Sequence, residues 1–435
     1  MNYLKLYRLV KKGYKLSRKK ELAILRLYEK KRSLLSYILN WKVFRKKLLF
    51  NYVKHHRLHQ EAELKLFEIP VKEQRKVLLF YFKYRKLHDE SELKLFDLVE
   101  EEEPKELLKT YIKYHPMCEQ AELELFDLPE RKELLLAYIK RYLMHEQAQL
   151  KLFDLPEPER KEVLSVYIDN HPMCEQAQLK FFDLPEPERK ELLLAYIKRY
   201  AMCEQAELKL FDLPQEERKA FLSVYIDNHS MEEQLQLKLF DLPAPKRKEL
   251  LSAYIKRYPM LKEAEIKIFD LPDEERKELL SAYIKRYPMW KEAELKLFDL
   301  PQEERKEVLS VYIGNHSISD QAELKLFDLP QEERKELLPV YIAENGICKQ
   351  AELKIFDLPK AERKEALIVY VNSRTCQGVS KLNEDFEAKL FELPDGEREE
   401  VLLIYIDQGK LSPTSIMKFI LHQKNIVKNN KKGDL

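Results

Sequence analysis

Glu294-Leu295-Lys296-Leu297-Phe298-Asp299-Leu300-Pro301 is the stretch that decides the fold, because it returns almost unchanged along the chain. Its phenylalanine recurs every 29 residues, at Phe153, Phe182, Phe211, Phe240, Phe269, Phe298, Phe327 and Phe356. Self-similarity at a fixed period of this length is the signature of a repeat protein, in which each small unit buries its apolar face against its neighbours. The 435 residues therefore predict one elongated repeat array in place of several globular domains.

Each unit is predicted to contain two short helices, called helix A and helix B. Helix A is expected over residues 289–299, where Ala293 and Leu297 lie four residues apart on one face. Helix B is expected to follow Pro301, because proline is tolerated in the first turn of a helix and the acids after it complement the helix dipole. Tyr312 belongs to its apolar face. Helices of about 10–14 residues are marginal alone in water, so each unit must stack on the next.

The composition limits the classes of protein that the chain can represent. Hydrophobic residues make up 45% and charged residues 35%, with only 7 glycines, which is typical of a folded helical protein and not of a disordered one. Five cysteines without paired spacing favour neither a disulfide framework nor a zinc knuckle. No apolar run is long enough to span a bilayer. We therefore expect an intracellular, cytoplasmic protein by default, with export as an effector as the open alternative.

Together these patterns predict an all-α protein, a superhelical α-solenoid of about 13 helix-turn-helix repeats with a 29-residue period. The predicted parts are basic divergent repeats or a cap, the regular repeats, and a C-terminal capping helix with a polar tail, at residues 1–58, 59–409 and 410–435. The longer gap between Phe356 and Phe391 predicts a loop insertion near residues 372–380, around Gly378.

The helix-turn-helix unit resembles the α-solenoid class that includes tetratricopeptide, HEAT and armadillo proteins, and the resemblance covers nearly the whole chain. It is a resemblance of architecture, because the Glu-Leu-Lys-Leu-Phe-Asp-Leu-Pro motif differs from the Trp-Leu-Gly-Tyr pattern of tetratricopeptides and from the Thr-Pro-Leu-His of ankyrins. What the resemblance implies is a right-handed superhelix and use as a protein-binding scaffold.

One acidic residue recurs directly before helix B in eight units: Asp154, Asp183, Asp212, Asp241, Asp270, Asp299, Asp328 and Asp357. We interpret this ladder as structural, since a function rarely needs eight copies of one residue. Each aspartate is expected to cap helix B or to pair with the arginine six residues later, as Asp299 with Arg305.

Helix B also carries a ladder of tyrosines: Tyr138, Tyr167, Tyr196, Tyr225, Tyr254, Tyr283, Tyr312 and Tyr341. Aromatic ladders can stack nucleic-acid bases. These tyrosines lie on the apolar face beside isoleucine, however, so core packing with the hydroxyl at the edge is the favoured interpretation.

Histidines and cysteines recur near the junction between helix B and the next helix A, at His115, His171, His229 and His316 and at Cys118, Cys174, Cys203 and Cys348. Stacked helices lie about 8–10 Å apart, so equivalent residues of adjacent units are too distant to share a metal or a disulfide. No phosphate loop, nucleophile elbow or metal-binding helix motif occurs. We therefore predict no metal site, no cofactor and no enzymatic activity.

The variation that best fits a binding surface lies at the end of helix B, two and three residues after the ladder tyrosine. The candidate partner-binding residues there are Lys140, Arg141, Asp169, Asn170, Lys198, Arg199, Asp227, Asn228, Lys256, Arg257, Lys285 and Arg286. A binding solenoid keeps its core and varies one exposed face. The alternative is salt bridging between units after duplication of a two-unit segment, which contributes little stability.

Residues 1–58 hold 18 Lys and Arg against two acids, a net charge of +16, so the rest of the chain carries −14. The candidate polyanion-binding residues are Lys11, Lys12, Lys15, Arg18, Lys19, Lys20, Lys30, Lys31, Arg32, Arg45, Lys46 and Lys47. Such a surface fits nucleic acid or an anionic membrane. It equally fits a structural cap that meets the acidic remainder of the array.

The sequence therefore predicts a non-catalytic scaffold or adaptor that binds protein partners along the solenoid. Nucleic-acid binding, or binding to another anionic surface, led by the basic N-terminal region is the alternative.

Overall fold

The structure is a computed structural model of the chain, and it describes residues 3–29, 41–98, 105–376, 384–407, 413–414, 416–417 and 420–421. Every regular element in these residues is a helix, and successive helices pack on one another as in a helical repeat solenoid. The predicted fold class is confirmed. The chain divides into two compact units, 1–224 and 225–435, with the boundary inside the helix Gln215–Asn228. One elongated domain with a superhelical course stays a prediction.

The first unit begins with three helices, Tyr3–Lys11, Arg18–Glu29 and Trp41–His55. Its A helices then follow at Gln60–Leu64, Asp89–Asp97, Glu119–Glu124, Glu146–Lys151, Glu175–Lys180 and Glu204–Asp212. Its B helices are Val71–Phe82, Lys105–Tyr114, Arg131–Ile139, Glu157–Asn170, Glu186–Ile197 and, across the boundary, Gln215–Asn228. Short 3-10 turns extend three of the A helices, at Leu125–Asp127, Leu152–Asp154 and Phe181–Asp183.

The second unit repeats the same alternation. Its A helices are Glu233–Phe240, Lys262–Lys267, Lys291–Leu297, Asp320–Phe327, Lys349–Lys354 and Glu384–Phe391. Its B helices are Ala244–Ile255, Asp273–Ile284, Gln302–Ile313, Gln331–Asn345, Lys360–Cys376 and Asp395–Asp407. Two of the A helices end in 3-10 turns, at Ile268–Asp270 and Ile355–Asp357.

Within each unit, A helices pack against the next A helix and B helices against the next B helix. The core between them is formed by the same positions in every repeat, such as Ala293 and Leu297 of helix A and Leu309, Tyr312 and Ile313 of helix B, all nearly or fully buried. These are positions that helical periodicity places on one face. The predicted apolar faces are confirmed.

The aspartate ladder does not have the predicted role. In the B helices for which the capping residue is defined after these aspartates, that residue is the proline of the motif, and no side chain caps the helix. Asp299 instead lies 3.7 Å from Lys325, and Asp328 lies 3.1 Å from Lys354, both on the next A helix. The prediction of helix capping is therefore wrong, because the chain needs two more residues before the helix begins.

Arg305, the expected partner of Asp299, makes a different bond. Its guanidinium donates to both carboxylate oxygens of Glu333 in the next repeat, at 2.8 and 2.6 Å, and to the carbonyl of Leu300 at 3.1 Å. The same pair recurs as Arg131–Glu159, Arg160–Glu188, Arg189–Glu217, Arg247–Glu275, Arg276–Glu304, Arg334–Glu362 and Arg363–Glu397. In all of these pairs except Arg334–Glu362, where only one carboxylate oxygen accepts a bond, two parallel bonds fix both partners, so the pairs hold consecutive repeats in register.

The insertion between the repeats of Phe356 and Phe391 is partly helical. The B helix there continues to Cys376, so residues 372–376, which the sequence assigns to a loop, extend the helix. Residues 377–383, including Gly378, lie outside the described residues, as does most of 410–435.

Candidate functional site

A buried polar network lies where one repeat meets the next. In the repeat of Tyr283, the tyrosine hydroxyl donates to Glu265 at 2.8 Å and accepts from the backbone N–H of Met260 at 3.3 Å. The second oxygen of Glu265 accepts from the backbone N–H of Trp290, the residue that begins the next helix A, at 2.8 Å. The carboxylate therefore links helix B of its own repeat to helix A of the next.

The same tyrosine–glutamate bond occurs in both units, as Glu21–Tyr52, Glu63–Tyr81, Glu92–Tyr111, Glu122–Tyr138, Glu294–Tyr312 and Glu352–Tyr370. The ladder tyrosines are between 0% and 3% exposed, so the predicted core packing is confirmed. Their hydroxyls lie inside the core and not at its edge. A buried hydroxyl needs a hydrogen-bond partner, and the glutamate supplies one in these repeats. The Tyr167 hydroxyl, in a repeat that has Gln149 in place of the glutamate, is buried without a partner.

Three repeats replace this glutamate with glutamine, at Gln149, Gln178 and Gln236. In each, the amide oxygen still accepts from the N–H that begins the next helix A, at 2.7–2.8 Å. The amide nitrogen donates to the carbonyl of the methionine five residues earlier, at 2.8–3.0 Å. The bond to the next repeat is thus preserved while the charge is lost.

Burial has a clear electrostatic consequence for the glutamates. It raises the pKa of Glu265 to about 7, although the Tyr283 hydroxyl and the Trp290 N–H oppose the shift. Burial also raises the pKa of Glu323 to about 7, and the pKa of Glu122 above its ordinary value. Removing a carboxylate from water disfavours its charged form.

The residue that begins each helix A, its N-cap, is a position that sequence reasoning recognised only where it is cysteine, at Cys118, Cys174, Cys203 and Cys348. It is His59, His88, Cys118, His145, Cys174, Cys203, Glu232, Leu261, Trp290, Ser319 or Cys348, and none of these side chains caps its helix. The network uses the backbone N–H of this residue, and the imidazoles of His88 and His145 also lie 2.7 and 3.0 Å from its glutamates, Glu63 and Glu122. Leu261 and Trp290 have no polar side-chain atom within reach of such a contact in their own repeats, so their side chains are not set by the network. Aligning the repeats on the buried glutamate or glutamine, which follows the N-cap by four positions, would have revealed the variation.

The twelve predicted partner-binding residues all lie exposed at the ends of B helices, and the loop to the next helix A follows each of them. Some are paired: Arg199 lies 2.9 Å from Asp169, and Arg257 lies 2.9 Å from Asp227. These pairs are 43–58% exposed, so solvent screens them. The helix B ends and the N-caps together form one edge of each repeat, which we call the junction edge.

The basic N-terminal region is described in part. Lys11, Lys12, Lys15, Lys19, Lys20, Lys46 and Lys47 are exposed. Arg18 is also exposed and pairs with Glu61. Lys30, Lys31 and Arg32 lie outside the described residues, and so does the side chain of Arg45 in the helix Trp41–His55. The structure thus places five exposed lysines between residues 11 and 20.

Among the residues that the structure describes, two sets of side chains could hold a metal ion. Asp89, Glu92 and Cys118 form one set, and Asp320, Glu323 and Cys348 form the other; in each set the ligand atoms lie within 4.8 Å of one another. Cys118 and Cys348 are also part of the junction network, since their backbone N–H groups donate hydrogen bonds to Glu92 and Glu323. Burial raises the pKa of both thiols, which favours the protonated form that binds metal poorly.

The histidines at the ends of B helices have a structural role. His171 and His316 lie with Nε2 at 2.6 and 2.7 Å from the carbonyls of Ile139 and Ile284, each at the end of the preceding helix B. Those carbonyls have no partner within their own helix. The imidazoles therefore connect consecutive B helices.

Comparison with known proteins gives no family for the chain: no protein-family model matches it, and no curated protein matches it either. Within the part that the structure describes, no helix combines the length and apolarity required to traverse a bilayer.

Proposed function

We propose that this chain is a non-catalytic scaffold that binds protein partners along its junction edge. The N-cap position carries the proposal: its backbone N–H bonds the glutamate or glutamine of the preceding repeat in one repeat after another, as at Leu261 and Trp290, while its side chain ranges from histidine and cysteine to glutamate, leucine and tryptophan. Contacts with buried glutamates account for His88 and His145 but not for Leu261 or Trp290. A repeat protein that presents different side chains on one face of a constant core is suited to read a partner along several repeats.

The variation at the ends of the B helices favours the same junction edge as the binding surface. Their charges change from Asp169-Asn170 to Lys198-Arg199 while the tyrosine and isoleucine before them stay constant. Because exposed ion pairs contribute about 0–1 kcal/mol, stability alone does not require these charges. Complementary charge at such a surface would set the orientation and the association rate of a partner.

The test is charge reversal to glutamate at Lys198, Arg199, Lys256 and Arg257, followed by capture of partners from a lysate and direct binding of each captured protein to the purified chain. We expect the variant to lose a partner that the wild-type chain binds directly, with an unchanged melting temperature. A matched control reverses Lys180, Lys190, Lys238 and Lys267, which are exposed away from this edge. Equal binding by the wild-type chain and the edge variant would rule the proposal out.

Nucleic-acid binding by the N-terminal region is a second candidate, favoured by Lys11, Lys12, Lys15, Lys19 and Lys20. All five are exposed around one turn, and among the described residues none forms an ion pair. Neutralising phosphates releases counterions, so binding should weaken steeply as salt rises. Glutamate at all five positions should abolish binding of a labelled single-stranded RNA. No RNA binding by the unaltered chain at low salt would end this candidate.

A further inference from the structure

We infer that the surface around Leu261 and Trp290 binds an acidic protein segment that carries apolar side chains. This surface, called here the basic-apolar patch, comprises Leu261, Trp290, Lys256, Lys285, Arg286 and Lys291. The inference rests on the proposed function, because it assigns a partner chemistry to one part of the junction edge.

The apolar part of the patch consists of two consecutive N-cap residues. Leu261 is 37% exposed and Trp290 is 50% exposed. Trp290 follows Leu261 by one repeat, and its N–H bonds to Glu265, in the helix that begins directly after Leu261. Neighbouring helices pack about 8–10 Å apart, which is the expected separation of the two side chains. Exposed tryptophan and leucine in one patch are typical of a binding site, where tryptophan is the most frequent anchor.

The cationic part of the patch arises where the charge alternation of the helix B ends breaks. Lys256-Arg257 and Lys285-Arg286 follow one another in consecutive repeats, without an intervening Asp-Asn. Arg257 pairs with Asp227, whereas Arg286 reaches the backbone carbonyl of Lys256 at 3.4 Å. Lys256, Lys285 and Arg286 therefore concentrate positive charge beside Leu261 and Trp290.

The first residue of helix A gives an independent sign of positive charge. It is acidic in four earlier repeats, at Glu146, Glu175, Glu204 and Glu233, but it is Lys262 after Leu261 and Lys291 after Trp290. A cation at a helix N-terminus opposes the helix dipole. Lys262 offsets this by pairing with Glu292 at 2.6 Å, whereas Lys291 is exposed. Lys349 holds the same position after Cys348, so the contribution of Lys291 is the positive charge that it adds beside Trp290.

Charge complementarity therefore selects an acidic occupant. Residues 59–435 carry a net charge of −14, so a cationic patch is not the average surface of the array. An aliphatic leucine offers no flat ring on which a base can stack, so Leu261 and Trp290 together do not form a stacking platform for consecutive bases. A protein segment can place its carboxylates at the lysines and its apolar side chains at Leu261 and Trp290.

Short fluorescein-labelled peptides test the inference with the full chain. Half of their residues are Asp or Glu, and two are Leu or Phe, spaced three apart for a polyproline II segment or seven apart for a helix; each spacing keeps the two side chains on one face and spans about 10 Å. Trp41→Phe leaves Trp290 as the only tryptophan, so its emission reports contact directly. We expect anisotropy to show binding and the Trp290 emission to shift to the blue.

Variants locate the binding. Trp290→Ser, and separately Lys285→Glu with Arg286→Glu, should each weaken peptide binding by about tenfold or more, as expected for a central anchor and for its charged surround. The matched controls are Cys203→Ser, and Lys140→Glu with Arg141→Glu, which change the corresponding positions of repeats without the apolar pair. These controls should leave peptide affinity within about twofold, within the range of surface changes away from a site.

Three results would overturn the inference: no binding by any acidic-apolar peptide, equal binding to the Trp290→Ser variant, or preferential, Trp290-dependent binding of a labelled oligo-uridine. The test is separable from that of the scaffold. If the peptides fail while charge reversal at the junction edge still abolishes partner binding, only the peptide inference falls. If the peptides bind the patch but charge reversal at the junction edge leaves partner binding unchanged, the scaffold proposal is ruled out.

Discussion

Arg305 and Lys306 are neighbours in one helix B, and each meets a glutamate of the next repeat, yet they lie in two different regions. Arg305 meets Glu333 in the interior seam, where the side chains are 15% and 1% exposed. Lys306 meets Glu336 at 2.8 Å on the outer surface, where they are 44% and 61% exposed. The same pattern of opposite charges can therefore be essential for stability inside the array and unimportant on its surface. The reason is that no water is available to replace a lost partner at a buried site.

The largest expected effect comes from Arg305→Ala. This change leaves Glu333 buried without its cation, and breaking a buried pair in this way costs about 3–5 kcal/mol. Urea unfolding of the full chain, followed by circular dichroism, should show the loss in the transition of the second unit.

Lys306→Ala is the matched control, and it should change the free energy of unfolding by less than about 1 kcal/mol. Replacing both buried partners, Arg305→Met with Glu333→Leu, should restore most of the stability, since apolar side chains can substitute for such a pair. Equal losses from Arg305→Ala and Lys306→Ala would contradict the distinction between seam and surface.

An intermediate effect is expected from Glu265→Gln, which converts this repeat to the form that Gln236 already has. Burial raises the pKa of Glu265 from 4.5 to about 7 in the folded chain. The folded state therefore binds a proton more tightly than the unfolded state, and the wild-type chain loses stability as pH rises from about 4.5 to 7. Above pH 7 the variant should be more stable by on the order of 2–3 kcal/mol. Thermal unfolding at pH 5 and pH 8 measures this difference.

The reverse change, Gln236→Glu, should lower stability at pH 8 and much less at pH 5. Glutamine at either position retains an oxygen for the N–H of the next helix A, so the junction itself is kept. A Glu265→Gln variant that is less stable than the wild type at pH 8 would show that the tyrosine–carboxylate bond outweighs desolvation.

The smallest effect is expected at the junction edge. Arg257→Ala removes an exposed pair with Asp227 and should change the free energy of unfolding by less than about 0.5–1 kcal/mol. High salt should make the wild type and the variant indistinguishable, because it screens exposed charges. A loss comparable to that of Arg305→Ala would place Arg257 among the structural residues and remove it from the candidate surface.

Much of the fold could be predicted because its signals are local and repeated. The period of Phe298, the helix-starting Pro301 and the apolar spacing to Tyr312 each depend on residues a few positions apart. The predicted role of Asp299 was wrong because that prediction also used only local residues. Arg305 instead bonds Glu333, which is 28 residues away. A single repeat does not show which carboxylate an arginine will reach.

The candidate site was predictable only in part. The exposed helix B ends follow from periodicity, as Lys256 and Lys285 illustrate. The N-cap column was recognised only at its cysteines, because Leu261 and Trp290 look like core residues by type. Only the fold shows that the backbone N–H of Trp290 is used while its ring faces solvent.

The recurring Arg–Glu pairs between repeats affect how the number of repeats in the gene can change. Each pair joins the same arginine position of one repeat to the same glutamate position of the next, as Arg276 to Glu304 and Arg305 to Glu333. An in-phase gain or loss of one unit within this run recreates the junction that it interrupts, so unequal recombination can alter the number of repeats without disturbing their joints. The number of repeats, and with it the number of junction-edge positions, can therefore change without a change in the side chains that each repeat displays.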